Sequence, residues 1–197
     1  MNKVNFDIFQ PRKKPLQPEK GRILIAEPFL QGPYFGRSIV LITEFGKEGT
    51  IGFVLNKSSD MYPDEVIEDL YNFRGELYLG GPVASDTLHF IHTLGYQVPG
   101  AMHVVGNIFW GGDFEVIKEL INCGRANSQS VKFFAGYSGW SAGQLESEIK
   151  EKSWVVSKID ESLIFAPNSA NVWKETLTNL GDVYRTWSNF PVNPASN

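Results

Sequence analysis

The stretch from Phe133 to Val156 constrains the fold more than any other part of the 197-residue sequence. Val131, just before it, and Phe133 and Phe134, at its beginning, are β-branched or aromatic and predict a strand. Gly136 and Gly139 follow, and glycines at this spacing predict a turn. A helix and a second strand complete the stretch. Strand, turn, helix and strand in so short a span require a sheet with a helix packed on it.

Ser141 is predicted to cap the helix of this stretch, with Gln144 completing a capping box three residues later. Trp140 is placed to pack on Leu145 as a hydrophobic staple. A helix start after a glycine-rich turn also exposes N–H groups, so Gly139 and Ser141 are candidates for binding a phosphate or carboxylate. The spacing GxxGxxxG matches neither the dinucleotide nor the phosphate-loop pattern. An anion site and a purely structural turn therefore both stay open.

The overall composition predicts a single globular domain, residues 21–197, preceded by a mobile basic arm, residues 1–20. Hydrophobic residues make up 42% of the chain and charged residues 20%, which is typical of globular proteins. Residues 1–22 hold six basic and two acidic side chains, a net charge of +4, so the rest carries −8 within the overall −4. An acidic body is a poor nucleic-acid binder, so nucleic acid or an anionic membrane could be contacted only through the arm.

The sequence gives little evidence for a disulfide, a metal site, a membrane span or a catalytic set of residues. Cys123 is the only cysteine, which excludes an internal disulfide. His89 and His92 would point to opposite faces of a strand, and with His103 they lack the spacing of a zinc site, so no metal and no cofactor is predicted. No signal peptide or membrane span is evident, and we expect a cytoplasmic protein. No catalytic set of residues can be identified.

The remaining elements predict an α+β domain with a strongly bent sheet. Strands cluster early in the chain, where residues 38–55 form a hairpin, and four helices follow among later strands. One helix runs from Pro63 to Gly75, and one is capped by Asp113. A strand is expected at Leu163–Phe165, and a last helix begins at Pro167–Ser169.

A second candidate ligand site lies around Arg37, at a junction between loop and strand. Tyr34 and Phe35 precede it, and Asn56 and Lys57 end the neighbouring strand of the hairpin. Arg37 could hold the anionic group of a ligand while the aromatic rings hold its apolar part. It could equally bind Glu44 or a backbone carbonyl.

Several separate motifs, in one order over residues 20–197, resemble the AlgH/YqgE family of bacterial proteins. The chain departs from the family pattern at Gly32, Phe45 and Ala142, where Asp, His and Pro are usual. The matching motifs are Arg22–Glu27, Phe35–Ser38, Gly52–Asn56, Gly80–Val83, His92, Gly136–Trp140, Gly143–Glu146, and the closing Pro191, Asn193–Pro194 and Asn197.

The resemblance implies a bacterial cytosolic protein with an α+β fold. In that fold a bifurcated, strongly bent, mainly antiparallel sheet forms a pseudo-barrel flanked by about four helices. Members are often described as transcriptional regulators, and no catalytic residues or cofactor are established for the family as a whole.

Three functions follow as hypotheses. The first is a regulatory or interaction protein that acts through a protein partner or a small anionic ligand. The second is a hydrolase or transferase that acts on a small phosphorylated substrate near Ser141 or Gly112. The third is a DNA-binding regulator, which the acidic body and the lack of a helix-turn-helix disfavour.

Overall fold

Nine strands form one curled sheet, and five α-helices pack around it in the computed structural model, which describes residues 16–165 and 169–191. The order of the strands is β6-β7-β5-β8-β3-β2-β1-β9, with β4 pairing with β8 beside this path. The strands are β1 (Arg22–Ala26), β2 (Ile39–Gly46), β3 (Gly49–Val54), β4 (Leu77–Leu79), β5 (Val83–His92), β6 (Met102–Val105), β7 (Ile108–Trp110), β8 (Val131–Ser141) and β9 (Trp154–Lys158). The helices are α1 (Pro63–Val66), α2 (Phe114–Asn122), α3 (Gln144–Lys150), α4 (Ser169–Asn179) and α5 (Asp182–Ser188).

The sheet divides along strand β8. The first half of β8 pairs in parallel with β4 and antiparallel with β5, whereas its second half, from Ser138 to Ser141, pairs with β3. Gly136 stands at the division with φ +65°, and a Cβ there would lie 2.7 Å from the carbonyl oxygen of Val83. Only glycine suits this conformation and close approach, so the glycine that predicted a turn instead lets one long strand serve two branches of the sheet.

The curl brings the two ends of the sheet together. A Cβ at Gly21, just before β1, would lie 2.7 Å from Cβ of Val105 in β6, although these strands stand near opposite ends of the strand order. The interior holds apolar side chains from β1, β2, β3, β7 and β8, and Trp173 and Leu177 of α4 pack against them. A bifurcated sheet that curls into a half-barrel, as predicted, is thus filled partly by its own side chains and partly by the last helices.

Two further apolar clusters lie on the outer faces of the sheet. One joins α2 and the segment around Leu70 to Phe133 of β8. The other joins α3 to Trp140 and Trp154. Because side chains alternate along a strand, Phe133 faces α2 while Phe134 faces the barrel interior. Burial on both faces explains why apolar residues dominate the beginning of β8, at Val131, Phe133 and Phe134.

Several sequence predictions are confirmed. The hairpin of β2 and β3 forms, and so does the helix capped by Asp113, whose carboxylate accepts hydrogen bonds from the N–H groups of Glu115 and Val116. In the described part of the chain, no helix is long and apolar enough to cross a membrane.

Other predictions are wrong. Ser141 does not cap a helix, because β8 extends through it and α3 begins at Gln144 after Gly143. The helix from Pro63 to Gly75 is only the four residues of α1. Residues Leu163–Phe165 form no strand, since a 3-10 turn, Glu161–Leu163, stands there. The short strand β7 and the helix α5 were not predicted.

Two further predictions fall largely outside the described residues. Residues 1–15 of the predicted arm are not described, while Pro18 is buried and Glu19 forms an ion pair with Arg22. The closing motif beyond Pro191 is also not described.

Candidate functional site

The predicted residues Gly139 and Ser141 lie at an open cavity of about 360 Å³ at the end of β8. Both are exposed, and they pair with Ile51 and Gly49 of β3. The charged side chains that line this cavity are carboxylates, those of Glu44 and Glu48. Carboxylates repel phosphate and carboxylate ligands, so this cavity has the wrong sign for the anion that the glycine pattern suggested.

Of the two glycine-preceded helix starts, that of α2 is capped by a side chain, whereas that of α3, after Gly143, has no side-chain cap. At α2, Asp113 Oδ1 accepts from Glu115 N at 3.0 Å and from Val116 N at 3.3 Å. At α3, which has only seven residues, Oε1 of Gln144 accepts from the N–H of Ser141 at 3.0 Å. The half of the predicted box contributed by Gln144 therefore forms. Anion binding at a helix start depends on unpaired N–H groups.

Arg37 and Asn56 hold three parts of the fold together. The Arg37 guanidinium donates to the carbonyl oxygen of Phe190, beyond α5, and lies 5.0 Å from the ring centroid of Trp173 in α4. Asn56 accepts from Ile39 N at 2.8 Å and donates to the carbonyl oxygen of Arg37 at 2.9 Å. These contacts fasten the last helices to the sheet and leave Arg37, at φ +54°, in a left-handed conformation.

The five predicted site residues therefore fall into two groups at opposite ends of the β2–β3 hairpin. Tyr34, half-buried, belongs to the loop before Arg37. Asn56 is five residues beyond Ile51, the partner of Gly139, a separation of roughly 17 Å at about 3.3 Å per residue of strand. One small ligand cannot contact both groups.

A carboxylate joins the two tryptophans under α3. Oε2 of Glu148 accepts from the indole N–H groups of Trp140 at 2.9 Å and Trp154 at 2.8 Å, and Oε1 accepts from Gln144 at 3.0 Å. Phe35 packs against both indole rings. The staple predicted for Trp140 is thus part of a larger aromatic layer, whose donors are all paired.

His89 and His92 point to opposite faces of strand β5, as the sequence predicted. His89 contacts the rings of Phe53 and Tyr137, whereas His92 stacks on Phe109. Burial lowers the pKa of His89 and of His92. The N–H of Leu94 donates to Nδ1 of His92, so Nε2 carries the proton and donates to the carbonyl oxygen of Gly111. Within residues 16–165 and 169–191, no group of three His, Cys, Asp or Glu side chains could hold a metal ion.

Lys132 is a buried lysine that no motif in the sequence indicates as a functional residue. It lies in β8 between Val131 and Phe133 and is 5% exposed. Its side chain lines a cavity of about 320 Å³ together with Arg74, Glu76 and Tyr78. The sequence does contain a feature that could have identified Lys132. It is a lysine inside an otherwise apolar run on a central strand, a position that is rarely charged.

Residues 60–76, between β3 and β4, form an exposed surface that combines apolar and acidic side chains, here called the acidic–aromatic surface. Its large exposed apolar residues are Met61, Tyr62, Val66 and Tyr71. Its exposed acidic residues are Asp60, Asp64, Glu65, Glu68, Asp69 and Glu76. Arg74 is the only basic residue in this segment.

Sequence comparison identifies relatives along the whole chain. Residues 23–185 match the profile of the DUF179, AlgH-like family. A UPF0301 protein of Bacteroides thetaiotaomicron is 39% identical over 195 residues, covering 98% of this chain and 99% of that protein. Another UPF0301 protein, from Parabacteroides distasonis, is 42% identical over 193 residues, covering 97% of this chain and 98% of that protein.

Two solved structures share the fold. Protein DIP2367 of Corynebacterium diphtheriae superimposes with a TM-score of 0.76 at 26% identity, covering 90% of this chain and 95% of its own. The AlgH protein of Pseudomonas aeruginosa gives a TM-score of 0.67 at 24% identity, covering 91% and 98%. The bifurcated half-barrel is therefore common to these proteins, and the chain belongs to the AlgH-like family.

Proposed function

We propose that this protein is a regulatory interaction protein that binds a basic segment of a partner protein through the acidic–aromatic surface. The observation that carries the proposal is the concentration of exposed apolar side chains there. Four of the eight large hydrophobic residues that are exposed in the described chain lie between Met61 and Tyr71. Aromatic residues and methionine are enriched where proteins meet, and contiguous exposed apolar area marks interaction sites.

The charge of the surface defines the chemistry of the partner. Six exposed carboxylates belong to the same segment as the apolar residues, and the cations beside them are Arg74 and Lys118 of α2, which donates to the carbonyl oxygen of Glu68 at 3.5 Å. Such a field attracts lysine- and arginine-rich segments, accelerates their encounter and repels nucleic acid. A basic, partly apolar protein segment fits both properties of the surface.

The surface is attached to the domain at several points, which favours a preformed binding site. The side chain of Asn122 in α2 accepts from Tyr71 N at 2.7 Å and donates to the carbonyl oxygen of Asp69 at 2.8 Å. The hydroxyl of Tyr71 donates to Asp69 at 2.7 Å. Side chains that are already held in place lose less conformational entropy when a partner binds.

The carboxylates at the Gly139 cavity and the Asp113 cap of α2 give no support to a phosphorylated substrate. The partly paired Arg37 likewise offers little to a small anionic ligand. We expect the protein to act in the cytoplasm, as the sequence predicts.

The test compares partner capture by matched variants at about 0.15 M salt. The variant Met61→Ser/Tyr62→Ser/Val66→Ser removes the apolar surface, and Tyr96→Ser/Met102→Ser is the control, because it removes exposed apolar residues elsewhere. We expect a stoichiometric partner that the first variant loses and the control retains. Carbodiimide, which joins carboxylates to amines without a spacer, should link partner lysines to residues 60–76.

Three outcomes would overturn the proposal. They are the recovery of no stoichiometric partner, full retention of the partner by the first variant, and crosslinks that map to carboxylates outside residues 60–76.

A further inference from the structure

Lys132 occupies a position that holds an amine away from bulk water. In the sheet it lies opposite Ile91 of β5, and its other neighbouring strand is β4, where Phe133 pairs with Leu77. Only 5% of the residue is exposed. A lysine this deeply buried needs either a partner of opposite charge or a neutral amine.

Nζ has two neutral contacts, a carbonyl oxygen and an aromatic face, and the aromatic face attracts the ammonium form as well as an N–H of the neutral amine. Nζ donates to the carbonyl oxygen of Ile164 at 2.9 Å and lies 3.7 Å from the ring centroid of Tyr78. A neutral amine has two N–H donors, which these two acceptors satisfy, and its lone pair needs no further partner. No carboxylate of the described residues forms an ion pair with Lys132.

Burial lowers the pKa of Lys132 to about 7, and the nearby Glu76 opposes that change. The other charged or titratable groups at the cavity are Arg74 and the hydroxyl of Tyr78, while Ile91 and Ile164 bring none. The lowered pKa increases the unprotonated share of this amine near neutral pH. An unprotonated amine is the nucleophilic form.

The cavity beside Lys132 has room for a small organic molecule. Its volume is about 320 Å³, and Phe73, Tyr78 and Phe165 supply much of its apolar lining. Arg74 and Glu76 stand at the same cavity and are exposed to solvent. The arginine can pair with a carboxylate of the ligand. Glu76 accepts a hydrogen bond from the hydroxyl of Tyr78 at 2.9 Å, which places a proton donor and acceptor in the cavity.

We propose that Lys132 forms an imine with a small carbonyl compound, an aldehyde or an oxo acid, that enters this cavity. Nζ attacks the carbonyl carbon, the C–N bond forms, and the carbonyl π electrons move to oxygen, which takes a proton to give a carbinolamine. The nitrogen then releases its protons, the hydroxyl leaves as water after protonation, and the C=N bond forms. One water is produced, and no oxidant or reductant is consumed.

The test uses glyoxylate with cyanoborohydride, which reduces imines to stable secondary amines that peptide mass spectrometry can locate. In the native protein at pH 7, the modification of Lys132 should be at least tenfold faster than that of the exposed Lys158. The rate at Lys132 should rise with pH around 7. The comparison is made within one wild-type molecule, so it does not depend on how a variant folds.

Two controls complete the experiment. In urea the two lysines should react at similar rates, which shows that both peptides are detected. The pKa of the half-buried Lys57 is also lowered, by burial and by Arg37, but Lys57 does not line the cavity beside Lys132 and should react more slowly than Lys132. The proposal is overturned if native Lys132 reacts no faster than Lys158, or if Lys57 reacts as fast as Lys132.

Discussion

The two ends of strand β8 hold polar groups in opposite ways. At the carboxyl end, the Trp140 indole is paired with Glu148, which also binds Trp154 and Gln144. At the amino end, Lys132 is buried beside a cavity and has no ion-pair partner among the described residues. The glycine spacing predicted a candidate ligand site at the carboxyl end, whereas the amine proposed to react, that of Lys132, lies beside a cavity at the amino end. The indole N–H groups have a charged acceptor, whereas the contacts of the Lys132 amine are neutral groups, a carbonyl oxygen and an aromatic ring.

The largest effect expected from this contrast is a pH dependence of the free energy of unfolding, caused by Lys132. Below pH 7 the lysine is charged in both states, so the full cost of burial is present. As pH rises from about 7 towards the ordinary value of 10.5, the unfolded chain binds one more proton than the folded chain. Stability therefore rises with pH, by about 1.4 kcal/mol per unit.

Lys132→Met should remove this dependence. Between pH 7 and pH 9.5, we expect wild type to gain about 3 kcal/mol relative to the variant, measured by urea unfolding. Lys158→Met, at an exposed position, serves as the control and should show no comparable change. A difference between wild type and Lys132→Met that stays constant with pH would show that Lys132 is charged when buried.

The next largest effect, a loss of stability, is expected near the carboxyl end of β8, where Glu148 binds two tryptophans. Glu148→Ala leaves the indole N–H groups of Trp140 and Trp154 without their acceptor, and we expect a loss of about 2 to 3 kcal/mol in the free energy of unfolding. Glu148→Gln retains an acceptor oxygen and should cost less. Glu151→Ala, on the exposed surface, should change stability by under about 0.5 kcal/mol. Equal losses in the Ala and Gln variants would contradict this account of the layer.

A smaller effect is expected at Arg37, which fastens the last helices to the sheet. Arg37→Ala should cost about 1 to 2 kcal/mol and increase hydrogen exchange in α4 and α5, while β2 stays protected. Arg37→Lys should recover little, because lysine lacks the planar fork that reaches Phe190 and stacks on Trp173. Unchanged exchange in α4 and α5 would instead leave Arg37 available for a ligand.

The smallest effect is predicted for Ser141, whose side chain is exposed. Ser141→Ala should change the free energy of unfolding by less than about 0.5 kcal/mol, whereas loss of a true helix cap costs about 1 kcal/mol. Gln144→Ala removes hydrogen bonds to Ser141 N and Glu148 and should cost more than Ser141→Ala. The reverse order, in thermal or urea unfolding, would restore the capping role of Ser141.

Local patterns predicted the elements that depend on neighbours in sequence. The hairpin of β2 and β3 and the cap at Asp113 form as expected because alternation and capping act over a few residues. The extension of β8 through Gly139 could not be predicted in this way, since β3, some ninety residues earlier, supplies its partners. Pairing between distant strands overrides the tendency of glycine to form turns.

By itself, the sequence determined the α+β class, most of the strands, the family motifs and the apolar character of the strand at Phe133. The tertiary structure decided which polar side chains have hydrogen-bond partners and which are buried beside a cavity. It joined Glu148 to two tryptophans, held Arg37 against the last helices, and enclosed Lys132 beside a cavity. The physical reason is that the solvation and partners of a side chain depend on segments far away in the chain, which no local pattern contains.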